Sequence, residues 1–214
     1  MIKNNKGKLI LSSAIILLPA LIGWIFWSKL PERMAVHWGL DGNADGWCSK
    51  LFTVLGAPLI LLALHWLCVL ITAKDPKNKG QSQKVLNMIL WIVPVISVFS
   101  GGVIYATAVG KEFNIEAIVL LLIGLMFVII GNYLPKCKQN HTIGIKVKWA
   151  LENEENWNAT HRFGGRLWVI GGLLMIVGGL LSPSTIPWVL LIIFFILAIV
   201  PIVYSYVYYR KQMK

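Results

Sequence analysis

The chain has 214 residues, 57% of them apolar and 14% charged, with a formal net charge of +11. A soluble domain is about 45–50% apolar and about 25% charged, so this sequence is too apolar to hide its side chains in one water-soluble core. Ten Trp, six Tyr and eight Phe also exclude a disordered chain, whose composition is polar and poor in aromatics.

A helix needs roughly 20 apolar residues to cross a bilayer. Six stretches approach that length: residues 9–28, 52–72, 86–109, 115–134, 163–181 and 187–209. They are continuous apolar runs, not the ~10-residue alternating segments of a barrel. The predicted fold is therefore an all-α membrane protein with six transmembrane helices. It divides into an N-terminal hairpin (1–73, with an outer loop at 29–51), a central hairpin (74–134), and a third part (135–214) made of an inner loop at 135–162 and the last two spans.

The first run follows a basic start (Lys3, Lys6, Lys8) but is longer than the apolar core of a cleaved signal, and no small-residue cleavage pattern follows it. It reads as a retained span, bent at Pro19. The outer connection after it carries Asp41, Asn43, Asp45 and Gly46, the first half of a calcium-loop pattern. Its twelfth position is Phe52 instead of the required Glu, so a turn built from Asp, Asn and Gly is expected, with no metal or other cofactor. His65 lies mid-span, where a neutral imidazole bonded to a neighbouring helix is the expected state. The third span, with Pro94, Ser97, Ser100, Gly101, Gly102 and Thr107, is predicted to bend and to face a bundle interior.

The fourth span repeats small residues every seven positions at Ala117, Gly124 and Gly131, and the fifth does so at Gly165, Gly172 and Gly179. Seven residues make nearly two turns, so each set forms one stripe, and small residues let membrane helices approach closely. Helices four and five are expected to pack along these stripes. Pro201 bends the last span, and Tyr204, Tyr206, Tyr208 and Tyr209 beyond it suit an interfacial aromatic belt. Cys48, Cys68 and Cys137 are expected to be free thiols.

Six crossings place both termini on one side. Of the twenty Lys and Arg residues, sixteen fall in the termini and in the second-to-third and fourth-to-fifth connections, and four fall opposite, at Lys29, Arg33, Lys50 and Lys111. That asymmetry predicts cytoplasmic termini. The charge is then explained by contact with membrane lipids, with no direct nucleic-acid binding.

The fourth-to-fifth connection is longer than a turn requires, which points to function. Residues 142–149 alternate Ile143, Ile145, Val147 and Trp149 with Gly144, Lys146 and Lys148, a period of two that predicts a short extended ribbon. A short acidic helix carrying Trp157 is expected next. Arg162 and Arg166 suit phosphate or carboxylate contacts at a membrane surface. Asn132, Lys136, His141, His161 and Arg162 have no recognised catalytic spacing, so no catalytic residue is assigned and the protein is not expected to be an enzyme. A membrane enzyme acting on a lipid headgroup and a small transporter remain the alternatives.

Gly131, Asn132, Leu134, Pro135, Lys136, Asn140, Gly144, Ile145, Lys146, Trp149, Leu151, Trp157, Thr160, His161 and Arg162 together resemble the signature of the Sdp immunity protein family. Val147-Lys148 and Ala150 depart from its usual Thr-Pro and Thr. The outer segment, through Leu30, Pro31, His37, Gly42, Asp45 and Lys50, is similar to the N-terminal domain of unknown function that accompanies the family. The resemblance implies a membrane immunity protein that confers resistance to a toxic antimicrobial peptide. It further implies a relay, in which a cytoplasmic transcriptional repressor is held at the membrane when toxin is present. Pro31, His37, Gly42, Asp45 and Lys50 would then face the toxin. The inner motif, including Pro135, Lys146, Trp149, Thr160 and Arg162, would meet the repressor.

Overall fold

The computed structural model describes residues 2–39, 42–181 and 185–213. They form seven helices and one β-hairpin, in the order α1 (Lys6–Ile25), β1 (Arg33–Trp38), β2 (Ala44–Ser49), α2 (Ala57–Lys74), α3 (Gln83–Ala108), α4 (Ile115–Tyr133), α5 (Lys148–Glu152), α6 (Glu154–Gly178) and α7 (Ile186–Gln212). Five stretches are long and apolar enough to cross a membrane: Lys6–Ile25, Phe52–Lys74, Gln83–Ala108, Ile115–Lys136 and Ile186–Gln212. The sixth long helix, α6, begins in a polar stretch and turns apolar only after Arg166. Large apolar side chains stand exposed along these helices, among them Ile10, Ile25 and Trp188. Such continuous apolar exposure suits lipid, not water.

The chain falls into two compact units. The first comprises Met1–Ala73 and Asn87–Ile115. Within it, hydroxyls and small residues join α1 to its neighbours. Ser97 donates to the Ile16 carbonyl at 2.8 Å and Tyr105 to the Pro19 carbonyl at 2.8 Å. A Cβ on Gly101 would lie 2.7 Å from the Pro19 side chain, so α3 approaches α1 closely where the proline stands. His65, 1% exposed, meets Ser12 at 3.0 Å. The Ser12 hydroxyl proton goes to the Leu9 carbonyl at 3.1 Å, which leaves Nε2–H of His65 as the donor to Ser12.

The hairpin departs from the all-α expectation. Residues 33–38 and 44–49 pair antiparallel, with Met34 opposite Cys48 and Ala35 opposite Trp47, and the register is irregular around His37. Met34 is fully buried and clusters with Leu30 and Val54. Met34 thus anchors the pair on its inner side, while Arg33, His37, Asp45, Trp47 and Ser49 stand exposed on it. Gly42, with φ +75°, takes the left-handed conformation that a tight hairpin connection requires. Asp41 lies outside the described residues. After β2 the chain widens into one turn at Phe52–Gly56 in which the Ala57 N–H reaches back five residues to the Phe52 carbonyl before α2 continues.

The second unit comprises Lys74–Leu86 and Glu116–Lys214. α4 and α6 meet at glycines: a Cβ on Gly124 would lie 2.6 Å from the Gly172 carbonyl, and one on Gly131 would lie 2.7 Å from that of Gly165. Gly179 sits by the Ala117 carbonyl. On its other side α6 packs on α7, where Gly171 lies under Leu197, and the core is Leu120, Met175, Ile186, Ile193 and Leu197. Pro201 lacks the N–H that would bond the carbonyl four residues earlier. That carbonyl belongs to Leu197, and the Trp168 indole N–H donates to it at 3.1 Å. The tyrosines of α7 pack on the chain itself, Tyr204 stacked 4.3 Å from Phe163, and Tyr206 5.3 Å from Trp149.

Candidate functional site

Asn140 organises the connection between α4 and α6. It is fully buried and accepts from the backbone N–H groups of Thr142 (2.8 Å) and Ile143 (2.6 Å). Its amide donates to the carbonyls of Lys138 (2.8 Å) and Ile143 (3.0 Å). These bonds curl residues 138–143 into a turn held by one side chain. The predicted ribbon at 142–149 is therefore not present: the residues before α5 form no strand. Two physical reasons account for this. Asn140 takes the backbone groups that a ladder would need, and Gly144 sits at φ +110°, outside the extended region.

Gly144 brings the chain over His161. The Ile145 N–H donates to His161 Nε2 at 3.0 Å, and Nδ1 lies 2.8 Å from the Trp157 carbonyl. A backbone N–H can only donate and a carbonyl can only accept, so the ring is neutral with its proton on Nδ1. Burial pushes the imidazole down to about 4, against the Trp157 carbonyl, which favours the proton. A side chain at residue 144 would collide with Nε2. Trp157, fully buried, stacks 3.9 Å from His161, and its indole N–H donates to the Cys137 carbonyl at 2.8 Å. Burial pushes the Cys137 thiol up to about 11.

A second network ties the start of α6 to α7. Asn153 caps the helix through the Asn156 N–H at 2.8 Å. Asn156 then donates to the Ser205 carbonyl (3.0 Å) and accepts from the hydroxyls of Ser205 (2.7 Å) and Thr160 (2.9 Å). All three side chains are fully buried, and every polar atom of Asn156 has work to do, the condition under which a buried polar network stabilises. The acidic segment predicted as a separate short helix is continuous with α6 from Glu154.

The sequence reading missed a third contributor, the segment before α3. Asp75 caps the short turn Pro76–Gly80 through the Lys77 N–H at 3.0 Å and accepts from the His141 N–H at 2.8 Å. Burial alone would raise its carboxyl. The N–H groups of His141 and Lys77, the Thr142 hydroxyl and the His141 charge hold it below the usual carboxylate value. Asn78 donates to Thr142 at 2.6 Å. The Gln81 amide pairs with both backbone groups of Lys138, at 2.6 and 3.1 Å. An Asp-Pro pair is a turn-start signal, but nothing local indicates that the turn docks some sixty residues along the chain.

The inner motif thus divides. Asn140, Trp157, Thr160 and His161 form a buried scaffold with Gly144 half-buried over the His161 ring, and Trp149 lies half-buried against Tyr206 and Tyr209. Asn132, Pro135, Lys136, Lys146 and Arg162 stand exposed, with Lys136 4.8 Å over the Tyr133 ring. In the hairpin, His37 and Asp45 form an exposed pair at 2.5 Å, and Pro31 is exposed. Lys50 departs from an outward-facing role: its side chain is 7% exposed, 2.8 Å from Glu32 and 5.2 Å over the Trp27 ring. Among the described residues no three His, Cys, Asp or Glu side chains are arranged to hold a metal.

These features define a multi-pass helical membrane protein with a small hairpin in one unit and a hydrogen-bonded, His-centred motif in the other. Residues 136–205 match the SdpI/YfhL protein family, and residues 14–62 match a domain of unknown function (DUF1648). The chain is 27% identical over 206 residues to the immunity protein SdpI of Bacillus subtilis (strain 168), covering 95% of this chain and 97% of that protein. It is thus similar to an Sdp immunity protein along nearly its whole length. No solved structure matches it.

Proposed function

We propose that the protein is a membrane immunity factor, which lets a bacterial cell survive a toxic peptide acting on its membrane. The observation that carries this reading is likeness along nearly the whole chain to an immunity protein. The inner motif supports it, because the residues that carry the resemblance form a single folded block. Six crossings with cytoplasmic termini give the orientation, on the sixteen-to-four distribution of cations. In this reading α6 from Phe163 onward is the fifth span in chain order and brings the crossings to six, and the hairpin with His37 and Asp45 meets the toxin from outside. The exposed inner residues, Lys136 and Lys146 among them, meet a cytoplasmic partner of acidic character, a transcriptional repressor held at the membrane when toxin is present.

The test is survival. A toxin-sensitive strain expressing the chain is compared with strains carrying His37→Ala, Asn132→Ala and His161→Ala, with membrane insertion checked in each. Protection by the parent chain supports the reading. Unchanged killing despite normal insertion of the parent overturns it. The relay is read separately, as recovery of a DNA-binding protein with membranes only when toxin is added.

A further inference from the structure

The α4–α6 crossing places residues on a common flank that the sequence keeps apart. Gly124 meets Gly172 and Gly131 meets Gly165, so the two helices run antiparallel and each level of one is matched to a level of the other. On this register Asn132 stands level with residue 164, between Arg162 and Arg166. Asn132 is one position past the contact residue Gly131, and Arg166 is one past Gly165. In antiparallel helices, equal steps about each axis lead to the same flank. Arg162 lies one turn from Arg166 and shares its face. The opposite flank is identified independently: there Phe127 packs 4.8 Å from Trp168, and α7 covers both through Phe194 and the Leu197 carbonyl.

Asn132, Arg162 and Arg166 are all exposed, and neither arginine has an acidic partner among the described residues. Two guanidinium groups bracketing an amide offer several N–H donors to one tetrahedral anion, the geometry in which arginine binds phosphate best. Further along the same flank the surface becomes apolar: Leu125 and Leu173 are 45% and 51% exposed. A cationic end continuing into an exposed apolar strip matches the two parts of a phospholipid, whereas an acidic protein or a free anion would leave the strip uncovered.

We infer that Asn132, Arg162 and Arg166 bind the phosphate of an anionic phospholipid, whose acyl chain lies along Leu125 and Leu173. The site does not depend on the immunity reading. The full-length protein, purified in detergent, is titrated with phosphatidylglycerol and with phosphatidylcholine, and retained lipid is counted by native mass spectrometry. The parent chain is expected to retain phosphatidylglycerol in preference. The double variant Arg162→Gln/Arg166→Gln is expected to lose roughly tenfold of that preference, while Lys77→Gln/Lys79→Gln keeps it. If the double variant does not fold, Asn132→Asp is read in the same way, because it sets a negative charge against the phosphate. An unchanged preference in these variants, or equal retention of both lipids by the parent chain, overturns the inference. Displacement of the lipid by millimolar inorganic phosphate overturns it as well, since the site would then belong to a free anion.

Discussion

His37 and His161 each sit in a segment that carries the family resemblance, and the two units use them in opposite ways. In the hairpin, His37 faces Asp45 across an open surface, with side chains 72% and 55% exposed. In the inner motif, His161 is 1% exposed and spends both ring nitrogens on backbone groups. An exposed ion pair adds little to stability, so such a pair is free to serve a partner. A buried imidazole whose protonation state is dictated by its neighbours holds the chain in shape instead. The residues that carry the resemblance therefore divide into those that support the fold and those that stand on its surface.

The sharpest way to break the buried side of this contrast is at Asn140 and Gly144. Asn140→Ala removes four backbone hydrogen bonds at a fully buried site and is expected to cost about 3–4 kcal/mol. Gly144→Ala forces a side chain into both the positive-φ region and the His161 ring, with a loss of similar size. Thermal unfolding in detergent measures both. A shift no larger than that of an exposed control such as Lys146→Ala would show that the block is not the scaffold described.

Acid should open the same block. The folded His161 value of about 4 lies below its ordinary 6.5, so between these values the unfolded chain binds the proton first. Stability conferred by the neutral ring is complete above about pH 6.5 and is lost as pH falls towards about 4, to a limit of ~3 kcal/mol. His161→Gln, which has no proton to gain, is expected to flatten the pH profile of unfolding across that window. Asp75 has the same sense at lower pH: its carboxyl is held low, so its contribution is complete above the ordinary carboxylate value and is lost as the pH falls through it. A profile identical in parent and His161→Gln would remove His161 from the account.

How much of this could be read from the sequence depends on the range of the interaction. Five of the six apolar runs coincide with helices α1, α2, α3, α4 and α7 to within a few residues, because a long apolar run is a strong local signal. The glycine heptads were visible for the same reason, and the glycines of α4 and α6 face each other. Short segments were misread. Residues 142–149 alternate like a strand, but Asn140 and Gly144 overrule the alternation, whereas residues 33–38 form a true strand inside what reads as a turn-bearing loop. The docking of Asp75, Asn78 and Gln81 onto residues 138–142 had no local signal at all, since a single side chain meeting a distant backbone leaves no period.

Trp168 and Pro201 give a smaller, more selective test within the second unit. Trp168→Phe keeps the ring packing against Phe127 but leaves the Leu197 carbonyl without its donor, an expected loss of about 1–2 kcal/mol. In a Pro201→Ala background the backbone N–H of residue 201 can take over that carbonyl, so Trp168→Phe should then cost much less. Equal costs in the two backgrounds would mean that the indole N–H does not stand in for the bond the proline lacks.

The smallest expected effect on stability is at the hairpin, and there the absence of an effect is what makes the experiment informative. His37→Ala and Asp45→Ala each break an exposed pair and should shift unfolding by no more than about 0.5 kcal/mol. Any change in toxin survival then reports the loss of a surface group and not the loss of the fold. His161→Ala cannot make that distinction, because it removes an acceptor from the buried Ile145 N–H and lowers stability and protection together. If His37→Ala and Asp45→Ala leave both unfolding and survival unchanged, the hairpin's exposed face is not where the peptide is met, and the contact has to be sought on another exposed surface of the protein. If survival falls while unfolding stays put, the division between presenting and supporting residues holds at its least stable point, where packing offers no competing explanation.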